Sequence, residues 1–248
     1  MKIISWQRLK GVVSTVLLAI GLTSLTTQAA QAQFTSPPGQ GVPKGTAGGG
    51  SRKPFCLLPP NNRENLLALA PTQFIGLTSR ENLSIWVYVP NTTAKTLEFS
   101  LLTQDREGIY QTQVPVSAPG LLKITLPKVV TLAIGKPYYW TAALICDPKQ
   151  RTNDWWVDGW IQQQPISTDL QRQLAGAPIE QQVKLYAQTK FWYEALDVYL
   201  DLQQTQPSHP SLSRLWADLI RTAGLGNIPL QGKLPQISKP TLSTQAHR

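Results

Sequence analysis

The hydrophobic pattern changes its period near Pro165, and this change limits the folds open to the chain. Before Pro165, apolar residues alternate with polar ones between turn signals, a pattern typical of half-buried strands. After it, apolar residues recur with the spacing of amphipathic helices. The sequence therefore predicts an α+β protein in which the strands precede the helices.

Six short strands are predicted before Pro165. The segment 83–89 is apolar on both faces, so it is expected to be a central strand that is covered on two sides. The other predicted strands cover residues 97–101, 109–114, 122–126, 138–146 and 155–162. Tight turns join several of them, which predicts an antiparallel immunoglobulin-like β-sandwich over residues 55–165.

A small helical bundle is predicted over residues 166–226. Three helical stripes and one short additional helix are joined by short loops, so the helices are expected to pack antiparallel. The residues expected to mediate this packing are Tyr186, Trp192, Ala195, Tyr199 and Trp216.

The middle pair of helices has a more specific pattern. Tyr186, Ala195, Tyr199 and Pro207 follow one another at spacings of nine, four and eight residues, which resembles a tetratricopeptide repeat. Because several repeats are normally needed for a solenoid, two interpretations stay open. The pair either forms a peptide-binding groove or simply braces the sheet.

The N-terminal segment has the features of a secretory signal peptide. Lys2, Arg8 and Lys10 precede an apolar run over residues 11–25, and an A-x-A site ends at Ala32. The run is shorter than the ~20 residues that a membrane-spanning helix needs. We expect cleavage after Ala32 and export to the periplasm or beyond the cell, with an uncleaved anchor as the alternative. No later transmembrane segment is predicted.

The charge of the chain is concentrated in its flanks. The net charge is +9, but nine of the 23 basic residues lie in the signal peptide, in the Gly- and Pro-rich segment 33–54 and in the segment 227–248. Those two segments are expected to be a linker and a loose tail. Between them the basic and acidic residues are equal in number, so no nucleic-acid-binding face is predicted.

Cys56 and Cys146 are the only cysteines. Disulfides persist in the compartments that exported proteins reach, so we predict that the two residues pair. The alternative is a pair of buried free thiols. No cluster of metal ligands and no cofactor motif is predicted, and the oligomeric state stays open.

An ordered series of short motifs connects the chain to a known family. The motifs are Ile85-Trp86-Val87-Tyr88-Val89-Pro90, Glu98-Phe99, Pro119-Gly120, Leu126-Pro127, Gly135-Lys136, Tyr139-Trp140, Leu144-Ile145-Cys146, Gly159-Trp160-Ile161-Gln162, Tyr186-Ala187, Trp192-Tyr193-Glu194-Ala195-Leu196, Trp216 and Gly224-Leu225. In this series the chain resembles the domain of unknown function 928 family of exported cyanobacterial proteins. The resemblance implies export, and it implies no activity and no catalytic residues.

Evidence for an enzyme is weak. Asp147, Asp154 and Asp158 surround a Trp-rich strand, and paired carboxylates of this kind serve glycosidases. Asp147-Pro148 and Asn153-Asp154 are equally ordinary turn sequences. Because there is also no nucleophile elbow and no phosphate-binding loop, we predict a protein that is not an enzyme.

The strongest candidate for a ligand platform is the last predicted strand. Alternation places Trp156, Asp158 and Trp160 on one face. If they are exposed, the indoles offer a surface for a sugar ring and the carboxylate accepts hydroxyl hydrogen bonds. If they are buried, they seal the sheet against the helices.

Three functions follow from these observations. The first is a non-catalytic envelope protein that binds or scaffolds another protein, with the helical stripe as the expected contact surface. The second is a carbohydrate-binding module for wall polysaccharide or exopolysaccharide. The third is an uncharacterised hydrolase.

Overall fold

The computed structural model of the chain describes Cys56 and residues 65–225, which contain both strands and helices. The strands are β1 (Leu67–Ala68), β2 (Gly76–Thr78), β3 (Ser84–Val89), β4 (Thr96–Thr103), β5 (Gly108–Pro115), β6 (Gly120–Thr125), β7 (Pro137–Leu144) and β8 (Trp155–Gln163). The helices are α1 (Thr168–Leu174), α2 (Ile179–Gln188), α3 (Trp192–Thr205) and α4 (Leu212–Thr222). The predicted α+β class is confirmed. The predicted signal peptide 1–32, the linker 33–54 and the tail 227–248 lie outside the described residues.

The strands form two sheets. The order is β1-β3-β6 in the smaller sheet and β2-β8-β7-β4-β5 in the larger one. Every pair is antiparallel except β2 with β8, which run parallel. The prediction of a wholly antiparallel arrangement is wrong at this pair, because no tight turn joins β2 to β8 and the alternation of side chains does not specify strand direction.

The six predicted strands correspond to β3 through β8. All six residues of β3 are buried, and β3 lies between β1 and β6, so the prediction of a central covered strand is confirmed. β1 and β2 were not predicted. They have two and three residues, too few to show a period.

Local sequence signals explain where the helices begin and end. The Ser167 side chain accepts a hydrogen bond from the Leu170 amide at 3.2 Å and caps the start of α1. Gly224 has φ +74° just beyond α4, and the Leu225 amide returns to the Ile220 carbonyl at 2.9 Å. This left-handed glycine ends α4.

α3 is attached to both sheets through polar contacts in the interior. The Oε1 atom of buried Glu194 accepts hydrogen bonds from the Ser79 amide at 2.6 Å and the Thr78 hydroxyl at 2.9 Å. On the smaller sheet, the Trp86 indole donates to Asp197 at 2.6 Å. One hydrophobic core accordingly includes residues of both sheets and of α2, α3 and α4.

The aromatic stripe of the helices lies inside this core. Trp192, Ala195 and Tyr199 are buried, Tyr186 is half-buried, and the Tyr199 ring stacks on that of Trp216 with centroids 5.2 Å apart. These side chains pack against other parts of the protein and are covered, and a partner contact on the surface of the helices stays a prediction.

Cys56 and Cys146 form a disulfide, with Cα atoms 5.3 Å apart. The predicted pairing is confirmed. The Cys56 carbonyl also accepts hydrogen bonds from the Thr93 amide at 2.8 Å and the Thr92 hydroxyl at 2.7 Å. These contacts attach Cys56 to the turn that follows β3.

Candidate functional site

β7 and β8 place aromatic and acidic side chains on one face of the larger sheet. Trp156, Asp158 and Trp160 alternate along β8 and therefore share a face. The register pairs Trp160 with Tyr139 and Asp158 with Thr141 of β7. We call Tyr139, Trp156, Asp158 and Trp160, together with Arg106, the sheet-face site.

The opposite face of β8 holds the strand in place. Val157 and Ile161 are buried there, and Gly159 lies against Trp140. A Cβ atom at residue 159 would lie 2.5 Å from Cζ2 of Trp140, so only glycine allows the indole to approach the backbone so closely. Packing behind the strand thus fixes the positions of Asp158 and Trp160 in front.

Arg106 reaches the site from the turn between β4 and β5. Its guanidinium carbon lies 3.3 Å from the ring centroid of Tyr139 and 5.7 Å from that of Trp160. The Tyr139 and Trp160 rings are 5.2 Å apart. Arg106 has φ +71°, a left-handed conformation that is uncommon for a residue with a side chain. The turn therefore holds a cation over two aromatic rings.

Asp158 is the most unusual residue of the site. It is 4% exposed, and its Oδ2 atom has no hydrogen-bond partner among the described residues. Burial raises the pKa of Asp158, while hydrogen bonding with Tyr139 and the charge of Arg106 lower it. A buried oxygen without a partner destabilises the fold unless water or a bound molecule donates to it.

The Tyr139 hydroxyl is affected by the same surroundings. Burial raises the pKa of Tyr139 to about 12, Arg106 opposes this change, and Asp158 adds to it. The phenol is therefore protonated at physiological pH and is a hydrogen-bond donor. The site thus combines a neutral donor, a carboxyl group and a guanidinium within one aromatic surface.

Trp156 and Trp160 are each half-buried. Their exposure therefore lies between the fully exposed and the fully buried arrangement that the sequence left open. Neither indole N–H donates a hydrogen bond to another described residue. Part of each side chain consequently remains exposed at the surface.

The other two acidic candidates do not join Asp158. Asp154 pairs with Arg151 at 2.5 Å and accepts the Cys146 amide at 3.1 Å, and Asp147 accepts the Lys149 amide at 2.8 Å. Four residues of strand separate Asp154 from Asp158, about 13 Å at 3.3 Å per residue. Glycosidase carboxyl pairs are about 5–9.5 Å apart, so these two residues do not form such a pair.

Sequence reasoning found Trp156, Asp158 and Trp160 but missed two neighbours. The sequence could have indicated Tyr139, because alternation from 138 to 146 places it on the strand face opposite Trp140. No sequence pattern could have indicated Arg106, because only the folded turn brings it over β7. Within the described residues, no group of three or more His, Cys, Asp or Glu side chains is arranged to hold a metal ion.

The fold and the site define an α+β protein with an aromatic, acidic face on its larger sheet. The family described as Domain of Unknown Function (DUF928) matches residues 47–231, which is more than half of the chain. The chain belongs to this family, and the family resemblance seen in the sequence is confirmed. Among curated proteins, none matches the chain.

In the part of the chain that the structure describes, every helix is too short or too polar to cross a bilayer.

Proposed function

We propose that the protein is an exported, non-catalytic module that binds a polysaccharide at the sheet-face site. The observation that carries this proposal is the pair of half-exposed indoles, Trp156 and Trp160, which flank Asp158 on one sheet face beside the Arg106 guanidinium, while the Oδ2 atom of Asp158 has no partner among the described residues. A ligand with hydroxyl donors supplies what this oxygen lacks.

Each part of the site has a role in this proposal. The rings of Trp156 and Trp160 stack on the apolar face of a sugar ring. Asp158 accepts a hydroxyl hydrogen bond, while Arg106 donates to ring or substituent oxygens. Arg106 has no ion-pair partner within 4.0 Å among the described residues, which favours a sugar that carries an acidic group.

Affinity electrophoresis tests this function with two defined probes, a polyuronate and a neutral glucan. The chain that begins at Gln33, the form expected after signal-peptide cleavage, should be retarded more strongly by the polyuronate. Trp160→Ala should weaken binding about tenfold, which corresponds to about 1.4 kcal/mol. The matched variant Trp160→Phe keeps an aromatic face and should retain most of the affinity.

Two outcomes would contradict the proposal. One is the absence of retardation by either polysaccharide in a folded wild-type protein. The other is equal retardation of the wild type and Trp160→Ala, with circular dichroism showing that both are folded.

Export has its own test. The charged start, apolar run and Ala32 site support it, and the N-terminal residue of the protein recovered from the periplasm or medium should be Gln33. Recovery of the unprocessed chain from the cytoplasm alone would contradict export.

A protein-binding or scaffolding role is the second candidate, and a different surface favours it. Among the described strands, β5 is an edge strand of eight residues that pairs only with β4, and most of its side chains are exposed. An open strand edge accepts an extended segment of a partner by main-chain hydrogen bonding. A photocrosslinker at Gln111 on β5 should then capture one discrete protein in intact envelopes, whereas one at exposed Gln171 on α1 should not.

We also propose a finer description of the fold. The shared core of both sheets supports an immunoglobulin-like sandwich, and the full burial of Ala187 and Ala195 in α2 and α3 supports a tetratricopeptide-like hairpin. Small residues at these positions allow two helices to approach closely. A crystal structure in which the two sheets do not pack face to face would contradict the sandwich.

A further inference from the structure

The loop between β6 and β7, residues 126–136, exposes two aliphatic side chains next to two lysines. Val129 is 84% exposed and Ile134 is 66% exposed. Lys128 precedes the first and Lys136 follows the second, and both are exposed. We propose that this loop, which we call the β6–β7 loop, docks the protein on an anionic lipid bilayer.

The loop presents these residues in a fixed conformation. Val130 and Leu132 are buried and anchor it to the core. The Ala133 amide donates to the Tyr138 hydroxyl at 2.9 Å, and the Gly135 amide donates to the Gln163 carbonyl at 2.9 Å. Val129 and Ile134 consequently remain outside the core while their neighbours are held inside it. A rigid loop loses little conformational entropy when it docks.

The composition of the loop identifies the partner. Residues 126–136 contain two lysines and no acidic residue, and neither lysine forms an ion pair within the described residues. Aliphatic side chains gain from entering the acyl boundary, whereas ammonium groups on flexible stems remain with the headgroups. Basic residues near a membrane surface are attracted by anionic lipids. The pairing of exposed aliphatic and cationic groups therefore fits an anionic bilayer better than a neutral polysaccharide.

This inference is independent of the proposed polysaccharide site. The sheet-face site uses side chains on the strands and in the β4–β5 turn, and none of its five members belongs to the β6–β7 loop. A variant in the loop and a variant at Trp160 therefore test different surfaces.

Vesicle flotation provides the test, with the chain that begins at Gln33 as the protein. Wild-type protein should float with vesicles of phosphatidylglycerol and phosphatidylcholine in equal amounts, and much less with pure phosphatidylcholine. Replacing an exposed aliphatic residue by serine should weaken binding about tenfold, so Val129→Ser with Ile134→Ser should abolish flotation. Lys128→Gln and Lys136→Gln should each weaken it about fivefold.

The matched control is Ile109→Ser. Ile109 is the other large hydrophobic residue that is exposed among the described residues, at 38%, and it lies on β5 rather than in the loop. This variant should float like the wild type. Failure of the wild type to float with anionic vesicles would overturn the proposal, and so would full flotation of the folded double serine variant, which would assign lipid binding to the basic flanks.

A polysaccharide ligand for the loop is the remaining outcome. If the double serine variant lost retardation by the polyuronate but floated like the wild type, the lipid assignment would be overturned. If it lost flotation and kept retardation, both the loop and the sheet-face proposals would be supported.

Discussion

Two sets of tryptophans in the same chain have opposite surroundings. In the core, the indoles of Trp86, Trp140 and Trp192 donate hydrogen bonds to Asp197, Tyr193 and the Leu69 carbonyl, respectively. On the outer sheet face, Trp156 and Trp160 are half-exposed, and their N–H groups have no acceptor among the described residues. A buried indole needs an internal acceptor, whereas one that faces a ligand does not. Exposure and the partner of the N–H group together distinguish these three core tryptophans from the two on the sheet face.

The largest test of this comparison removes a core indole. Trp140 is 0% exposed, and Trp140→Ala should lower the free energy of unfolding by about 5 kcal/mol, the upper end for such a change, because a large cavity forms and Tyr193 loses a donor. Trp156→Ala should cost about 1 kcal/mol or less. Urea unfolding measures both values. Equal losses in the two variants would break the distinction between the two sets.

Removal of the disulfide should have the next largest effect. The bond joins residues 90 positions apart, and a loop of this length stabilises the folded state by about 4.5 kcal/mol in the chain-entropy model. Cys56→Ser with Cys146→Ser should lower the urea midpoint without changing polysaccharide affinity in the folded fraction. Wild-type protein under reducing conditions is the control and should behave in the same way. A loss of affinity in the folded double variant would show that the disulfide also shapes the site.

Gly159→Ala should have an intermediate effect and connect the two regions. The added methyl group would collide with Trp140 on the core side while Asp158 and Trp160 lie on the other side. Overpacking of this kind costs about 1–3 kcal/mol. Gly108→Ala, where a Cβ meets nothing within 4 Å, is the matched control. If both variants melted at the same temperature, the close approach of Trp140 to β8 would be refuted.

The sequence predicted the scaffold better than the site, for physical reasons. Period two and period 3.6 arise from burial on one face, and every strand of six or more residues was predicted. Alternation also placed Trp156, Asp158 and Trp160 together. It does not encode which turn approaches which strand, so Arg106 was missed. A helical pattern likewise shows which residues share a face and not what covers that face, so the aromatic stripe was predicted to pack while the elements that cover it were not.

The smallest expected effect concerns the pH dependence that Asp158 imposes. Because burial raises the pKa of Asp158 in the folded state, the proton binds more tightly to the folded than to the unfolded protein. Its contribution to stability is complete below the unfolded value of about 3.9 and is lost as the pH rises through the higher folded value. Asp158→Asn should remove this loss, so the variant should be more stable than the wild type above that window and should bind polysaccharide less well.

Tyr139→Phe provides the opposite change at the same carboxyl group. The hydrogen bond with Tyr139 lowers the pKa of Asp158, so its removal should raise that pKa further and extend the loss of stability to higher pH. Thermal melts of the three proteins from pH 3 to pH 8, about the range over which carboxyl groups and histidines titrate, would measure both effects. Identical pH profiles for the wild type and Asp158→Asn would mean that the carboxylate carries no energetic cost in the fold. The strongest reason to assign Asp158 to a ligand would then be gone, and the two sets of tryptophans would differ only in exposure.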